Sequence, residues 1–349
     1  MKKYSNTQFI YFEVALPLPF YQTFTYKLSL EKYNKLKNKE LIGRRVLVPF
    51  RKSGYTGIIT EIHKESFSEI EDYEIKEIEE LPDDKPLFTE KELNIAYNLS
   101  QYYIAPFGLT LYYFIPEGLR WKKKEGKWIK TFPESYIYTL GEIRKYENLS
   151  ERQKELVELV SSLGEITELE LIEQGFNKTT INSLVKKGIL KKESFILKKE
   201  GKIQLKQQTV EKSIKVNKGL FYYGSDTAEK RLKTYINIIN KLQQEGKSSL
   251  LIFPSIAHIK KAYEILSKEI NNLYVYHDGI NARENVRTWF ELQEKEGSVL
   301  LTSYARILIP IKNLSFIVVE EEAADSYKTL RTPKFDVRRA VFEIYKEKN

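Results

Sequence analysis

The sequence predicts a multidomain α/β protein: a β-rich N-terminal region, a small helical unit, then a partial parallel α/β lobe. Three observations predict it. A chain of 349 residues exceeds one ordinary core, so two or three domains are expected. Residues 1–120 alternate short aliphatic and aromatic runs with Pro and Gly punctuation, which is the pattern of strands and turns. From residue 219 onward, helix-period segments alternate with short, wholly apolar runs, the pattern of a parallel sheet covered by helices.

In the first region, Phe9–Leu16, Arg45–Val48 and Gly57–Ile62 read as strands, broken by Pro17, Pro19, Gly43, Pro49 and Gly54. The run Pro82-Asp83-Asp84-Lys85-Pro86 interrupts the chain, and Thr89 then caps a helix whose capping-box partner is Glu92. Residues 121–200 open on the basic, aromatic stretch Trp121-Lys122-Lys123-Lys124-Glu125-Gly126-Lys127-Trp128. Ser150 caps a helix that Gly164 stops, Thr167 caps a second that ends at Gly175, and a third runs from Lys178 to Lys187, closed by Gly188. Strand-like Ile189-Leu190 and Phe195-Ile196-Leu197, joined through Lys191 and Lys192, would complete a helix-turn-helix with a wing. In residues 201–349, helices are expected at 230–245, 256–268 and 285–294. Strands are expected at 249–254, 273–276, 299–302 and 315–320.

Composition excludes several classes. The chain has no Cys and three His, so disulfides, thiolate metal sites and a zinc centre are not expected. No apolar run approaches the ~18 residues that cross a bilayer, and no signal-peptide core follows the first lysines, so a cytoplasmic protein with no membrane partner is expected. Charge is uneven: Lys178 to Lys218 holds twelve Lys and three Glu, a balance of +9 that equals the whole chain's +9. Positive charge gathered in one place attracts a phosphate backbone; a solvated lysine face is the plainer alternative.

Several motifs carry a resemblance. Val319-Glu320-Glu321-Glu322-Ala323-Ala324-Asp325-Ser326-Tyr327-Lys328, followed by Pro333-Lys334-Phe335 and Arg338, resembles the segment around the DEEH box of the replication-restart helicase PriA family. Thr302-Ser303-Tyr304-Ala305-Arg306, His277-Asp278-Gly279 with Arg283-Glu284, and Phe253-Pro254 are similar to further elements of that family in the same order. So are Val14-Ala15-Leu16-Pro17-Leu18-Pro19, Thr23-Phe24-Thr25-Tyr26, Arg45-Val46-Leu47-Val48-Pro49-Phe50, Gly57-Ile58 and Pro116-Glu117-Gly118-Leu119-Arg120 in the first region. The resemblance implies a domain at 1–120 that binds DNA 3′ ends, a winged helix with a basic linker at 121–200, and a truncated RecA-like helicase lobe at 201–349.

The motor part departs from the pattern. A phosphate-binding loop needs glycines that let backbone N–H groups approach the anion, a lysine, and a hydroxyl for Mg²⁺. Read from Gly224, the segment Gly224-Ser225-Asp226-Thr227-Ala228-Glu229-Lys230-Arg231 puts Lys230 at the lysine position, with Glu229 for the second glycine and Arg231 for the hydroxyl. Counted back from Pro254, Arg231 takes the lysine position instead. Glu320, beside Glu321, stands for the Walker B Asp, Ala323 for the His of the box, and Ser255 for the Glu after Pro254. The resemblance also stops before the family's second motor lobe and zinc-binding cysteines. The expectation is a DNA-binding protein of replication restart without autonomous helicase activity, with no zinc and no assured cofactor, ATP with Mg²⁺ being the open one.

Carried over position by position, Tyr26 and Lys76 would contact a terminal nucleotide. Thr25 stands where the family has Asp, and Arg51, next to Lys52, where it has Gly. Lys186, Lys187, Lys191 and Lys192 would form a second DNA surface. Expected partners are forks, single strands and 3′ ends, with other primosome proteins or a single-strand binding protein as further candidates. Two other readings stay open: an ATP-dependent 3′–5′ helicase fragment that needs a second lobe, and a protein-interaction scaffold.

Overall fold

The computed structural model describes residues 9–63, 74–129, 136–141, 148–194, 219, 224, 227–303, 307–329 and 333–348. The chain divides into two compact units, residues 1–133 with 308–310 and 328–349, and residues 134–307 with 311–327. The final stretch thus belongs with the N-terminal region, where a separate domain spanning 201–349 was expected.

The first unit is built on an antiparallel sheet. Its strands are β1 (Phe9–Ala15) and β2 (Phe24–Ser29), then, past the short helix α1 (Leu30–Asn34), β3 (Arg45–Phe50) and β4 (Ser53–His63), in the order β2-β1-β4-β3. The inward side chains are Phe12 and Val14 of β1, Tyr26 and Leu28 of β2, Val46 and Val48 of β3, and Ile59 of β4. Apolar residues two apart face one side of a strand, so the period of two in these segments fixes that face. The two outer strands are joined through one segment. Lys27 of β2 donates to the Lys76 carbonyl at 3.0 Å and receives from Ile78, while Leu47 of β3 exchanges bonds with Glu79 and Glu80. Backbone groups that an open edge would leave to water are satisfied there.

Helix α2 (Glu90–Tyr102) starts at the expected Thr89–Glu92 capping box and is followed by α3 (Phe107–Phe114). Gly108 is obligatory: a Cβ there would lie 1.8 Å from the Leu16 carbonyl oxygen. The break at Pro82–Pro86 is anchored by the buried Arg45, whose guanidinium takes both carboxylate oxygens of Asp83 at 2.7 Å. A short hairpin, β5 (Lys122–Lys124) and β6 (Lys127–Ile129), lies beside β4.

In the second unit, β7 (Tyr136–Leu140) precedes the helices α4 (Glu151–Leu163), α5 (Glu168–Glu173) and α6 (Lys178–Lys186). The strands β8 (Glu165–Thr167) and β9 (Leu190–Ser194) flank β7 in the order β8-β7-β9. Ser150, Thr167 and Asn177 cap the three helices as N-cap acceptors, and Gly164 ends the first at φ +77°. The parallel sheet follows, with α7 (Ala228–Gln244), β10 (Ser248–Phe253), α8 (Ile256–Leu266), β11 (Leu273–Tyr276), α9 (Ala282–Glu294), β12 (Val299–Ser303) and β13 (Leu314–Val319). Its strand order is β11-β12-β10-β13, every pairing parallel. β10 and β12 are buried along their whole length, as strands covered on both faces must be.

The last helix, α10 (Val337–Lys348), packs on α2 in the first unit. Asn94 donates to Glu347 at 3.1 Å, the Asp336 amide donates to the Tyr103 hydroxyl at 3.0 Å, and the Arg339 guanidinium sits 4.1 Å from the Tyr102 ring. No helix among the described residues is long and apolar enough to cross a membrane.

Candidate functional site

One end of the first unit's sheet carries an aromatic cluster. Phe24 continues the inward face of β2 past Tyr26, and its ring lies 4.8 Å from that of Phe50 at the end of β3. Phe20 meets both, at 5.8 Å from Phe24 and 6.4 Å from Phe50, and Tyr55 approaches Phe50 at 6.2 Å. Phe20 is exposed; Phe24, Phe50 and Tyr55 are half-buried. Beside the cluster the β3–β4 hairpin turns through Arg51 and Lys52, both exposed, and the Arg51 guanidinium lies 5.6 Å from the Phe50 ring. Arg51 takes φ +51°, a conformation that costs an L-residue about 1–2 kcal/mol. A strained arginine is thus held where its charge is displayed next to a cluster of edge-to-face rings.

The placement of Tyr26 corrects the expectation from sequence. Its ring is 3% exposed within the core, and its hydroxyl donates to the Pro49 carbonyl at 2.9 Å. Burial pushes the phenol above its ordinary range. A base could stack on Tyr26 only by opening the core, so the rings available at this end are Phe20, Phe24 and Phe50.

Thr25 points to the other face of β2. Its hydroxyl donates to Glu13 Oε1 at 2.6 Å, Thr23 donates to Glu13 Oε2 at 2.5 Å, and His63 Nε2 is 3.4 Å from the same carboxylate. Glu13 and Thr25 are register partners in β1 and β2, so a carboxylate stands beside the position where Thr25 has none. Lys76 is exposed and immediately precedes Glu77, the bridge partner of Lys27, which sets it beside Tyr26 on the edge of β2. Sequence reading missed Phe20, Phe24, Phe50 and Glu13 as site residues. Their signal was weak: Phe50 and Phe24 lie inside motifs that were read for their neighbours.

In the second unit, Lys186 and Lys187 are exposed at the C-terminal end of α6. Lys191 and Lys192 do not form a wing turn. Both lie within β9, register-paired with Thr139 and Tyr138 of β7. Successive strand residues face opposite sides, so the two lysines do not share a surface. Lys191 is ion-paired with Glu193, and the Lys192 ammonium sits 3.6 Å from the Tyr136 ring. Phe195-Ile196-Leu197, and with them the proposed wing, lie outside the described residues, as do the lysines between 198 and 218.

The phosphate-loop segment leads into α7, capped by Thr227, whose hydroxyl accepts from the Lys230 amide at 3.3 Å. Gly224 and Lys230 are exposed, and Glu229 pairs with Lys233; Ser225 and Asp226 lie outside the described residues. Arg231 turns inward. Its Nε and Nη2 both lie 2.5 Å from Glu320 Oε1, and Tyr235 donates to Glu320 Oε2 at 2.8 Å. Glu320 immediately follows β13 and is 4% exposed. Arg231 Nη2 also approaches Glu321 at 3.6 Å, and His258 faces that same carboxylate at 3.5 Å. The hydrogen bond to Glu320 holds the guanidinium still more firmly charged. The Glu320 carboxylate is therefore neutralised by a cation of the chain itself.

Residues 13–116 match the family model of the PriA 3′ DNA-binding domain. The chain is 24% identical to the replication restart protein PriA of Buchnera aphidicola subsp. Acyrthosiphon pisum, over 96% of this chain and 47% of that protein. It is 22% identical to the protein of the same name from Haemophilus influenzae, over 85% of this chain and 43% of that protein. With the Bacillus subtilis replication restart protein PriA the match is 22% identical and covers 34% of this chain and 15% of that protein. The chain spans less than half the length of each of these relatives. The aromatic cluster, the Arg51 hairpin and Glu13 all fall within or on the border of the matched 3′ domain, and the wider similarity to replication restart protein PriA runs across both units.

Proposed function

We propose that this chain binds forked or single-stranded DNA in replication restart, seating a 3′ end at the aromatic mouth of the first unit, and that it does not turn over ATP. The observation that carries the reading is the Phe20–Phe24–Phe50 cluster flanked by Arg51 and Lys52, inside the span similar to a 3′ DNA-binding domain. Aromatic faces accept any base at about 1–3 kcal/mol per stacked base, while adjacent cations hold the backbone phosphates. Glu13 with Thr25 offers acceptors for a terminal hydroxyl, and Lys76 a cation at the strand edge.

The α4–α6 helices with β7–β9 fit a winged helix, whose third helix, α6, would present Lys186 and Lys187 to the duplex arm of a fork. The parallel sheet fits a RecA-like lobe. What supports a silent motor is local: Glu229 where a backbone must approach a polyanion, and the Arg231–Glu320 pair where Mg²⁺ would sit.

Two measurements test the proposal. Forked DNA with a free 3′ hydroxyl is expected to bind more tightly than the same fork with a blocked 3′ end; equal affinity removes the end-binding part. DNA-stimulated ATP hydrolysis is expected to be absent; turnover that disappears in Glu320→Gln would establish a working ATPase instead.

A further inference from the structure

The lysine-rich hairpin β5–β6 lies beyond the span that matches the 3′ domain and has no part in the reading above. Its side chains divide sharply. Lys123 faces inward, its ammonium 2.5 and 2.6 Å from the two oxygens of Glu79, which also accepts from Trp128 Nε1 at 2.8 Å. Lys122, Lys124 and Lys127 are exposed, and none of the three has a carboxylate partner among the described residues. Lys124 and Lys127 are direct register partners across the turn. Like charges placed opposite each other on a hairpin destabilise it, and the arrangement is relieved when an anion binds between or beside them.

The hairpin points the same way as the β3–β4 turn. Thr56 of β4 donates to the Trp121 carbonyl at 2.9 Å. Two residues nearer the β4 turn, Gly54 packs so closely on Lys123 and Trp128 that a Cβ would meet each at 2.6 Å. Progressing along β4 toward Arg51 and Lys52 therefore means progressing along β5 toward its own tip. One further step sets the Lys124–Lys127 pair level with Ser53, next to the Arg51–Lys52 turn. Glu125 and Gly126, both at positive φ, make the tight two-residue turn that keeps those lysines at the end.

We infer that the β5–β6 hairpin is a phosphate-binding arm that grips the sugar–phosphate backbone of the strand whose terminus occupies the aromatic mouth. Lys122, Lys124 and Lys127 make the contacts, and Lys123 with Trp128 fixes the arm to Glu79. The inference rests on the DNA-binding reading above. It commits to nucleic acid because the arm offers exposed cations beside the Arg51–Lys52 turn that flanks the aromatic cluster.

The test compares the full chain with a Lys122→Ala/Lys124→Ala/Lys127→Ala variant, using a single strand with a free 3′ end across a salt series. Each phosphate contact contributes about 0.7 to the slope of log affinity against log salt on single strands. The slope is expected to fall by about 2, with a loss of roughly ten-fold or more at low salt, while the preference for a free over a blocked 3′ end is kept. The variant with three Arg in place of the lysines is expected to retain wild-type slope. The lysines are exposed, so the free variant should melt no lower than the parent. If the parent chain binds DNA with a 3′ preference but the Ala variant keeps the same slope and affinity, the arm is overturned and the end-binding reading stands. If the parent chain binds no DNA at low salt, the end-binding reading falls and the arm with it.

Discussion

The aromatic cluster of the first unit and the N-terminal end of α7 in the second both carry cations, and they treat those cations oppositely. At the mouth, Arg51 and Lys52 project from a turn into solvent, and among the described residues no carboxylate is paired with either. At the base of α7, Arg231 is turned inward onto Glu320, with Tyr235 filling the other oxygen and Glu321 close by. A cation left facing water keeps its charge for a ligand at little cost. A cation locked to a buried carboxylate has already spent it on its own fold, and a metal or phosphate could enter only by breaking the pair. Net charge therefore does not locate a binding site; the partners of each charge do.

Removing the cation from the inward pair has the largest expected effect. Arg231→Ala leaves Glu320 buried with Tyr235 alone, and should cost about 3 kcal/mol or more in chemical unfolding. Arg231→Met with Glu320→Gln should recover most of that loss, whereas Arg51→Ala should stay within about 0.5 kcal/mol of the parent. A harmless Arg231→Ala would break the comparison.

A second buried carboxylate sharpens it, because among the described residues no cation is ion-paired with it. Glu170 accepts from the amide and hydroxyl of Thr167, both at 2.9 Å, but burial, with Asp278 nearby, raises its pKa to about 7. The folded chain thus holds a proton that the unfolded chain releases near its ordinary value. Stability of the second unit should be greatest below that ordinary value. It should then decline by on the order of 3 kcal/mol as pH rises to about 7, and level off above. Glu170→Gln, which preserves the capping bonds, should flatten that decline in pH-dependent melting.

At the mouth, Phe50→Ala should weaken single-strand binding by about 1–3 kcal/mol. Tyr26→Phe should leave affinity unchanged while costing about 1 kcal/mol of stability, since it removes only the bond to Pro49. The reverse pattern would return Tyr26 to the interface. The smallest effect concerns strain. Arg51→Gly should be stability-neutral or gain up to about 1 kcal/mol, through release of the positive-φ cost, while lowering affinity a few-fold in the same titration.

Much of the helical and parallel-sheet structure could be read from local patterns. The caps at Thr89, Ser150 and Thr167, the stop at Gly164, and the strands β10 to β13 were each predicted within a residue or two, because a capping bond and a buried apolar run involve neighbours in sequence. The helix α3, the strand β7 and the β5–β6 hairpin were not. β7 is held by partners in β8 and β9, and the hairpin by Glu79 and Gly54. Lys191 and Lys192 were misplaced for the same reason: Gly188 marked the end of α6 correctly, but the strand that follows finds its partner some fifty residues upstream, in β7.

By itself the sequence determined the resemblance to PriA, through the order of its motifs, which are properties of residue identity at a position. Tertiary structure decided which of those residues can meet a ligand. Tyr26 and Phe24 lie on one face of one strand, yet the first is covered by the core and the second opens at its rim. Arg231 and Glu320 are 89 residues apart, and only the parallel sheet brings them to 2.5 Å. Periodicity tells which side chains share a face. Whether that face is closed over, or a charge is already matched, depends on elements that arrive from far along the chain.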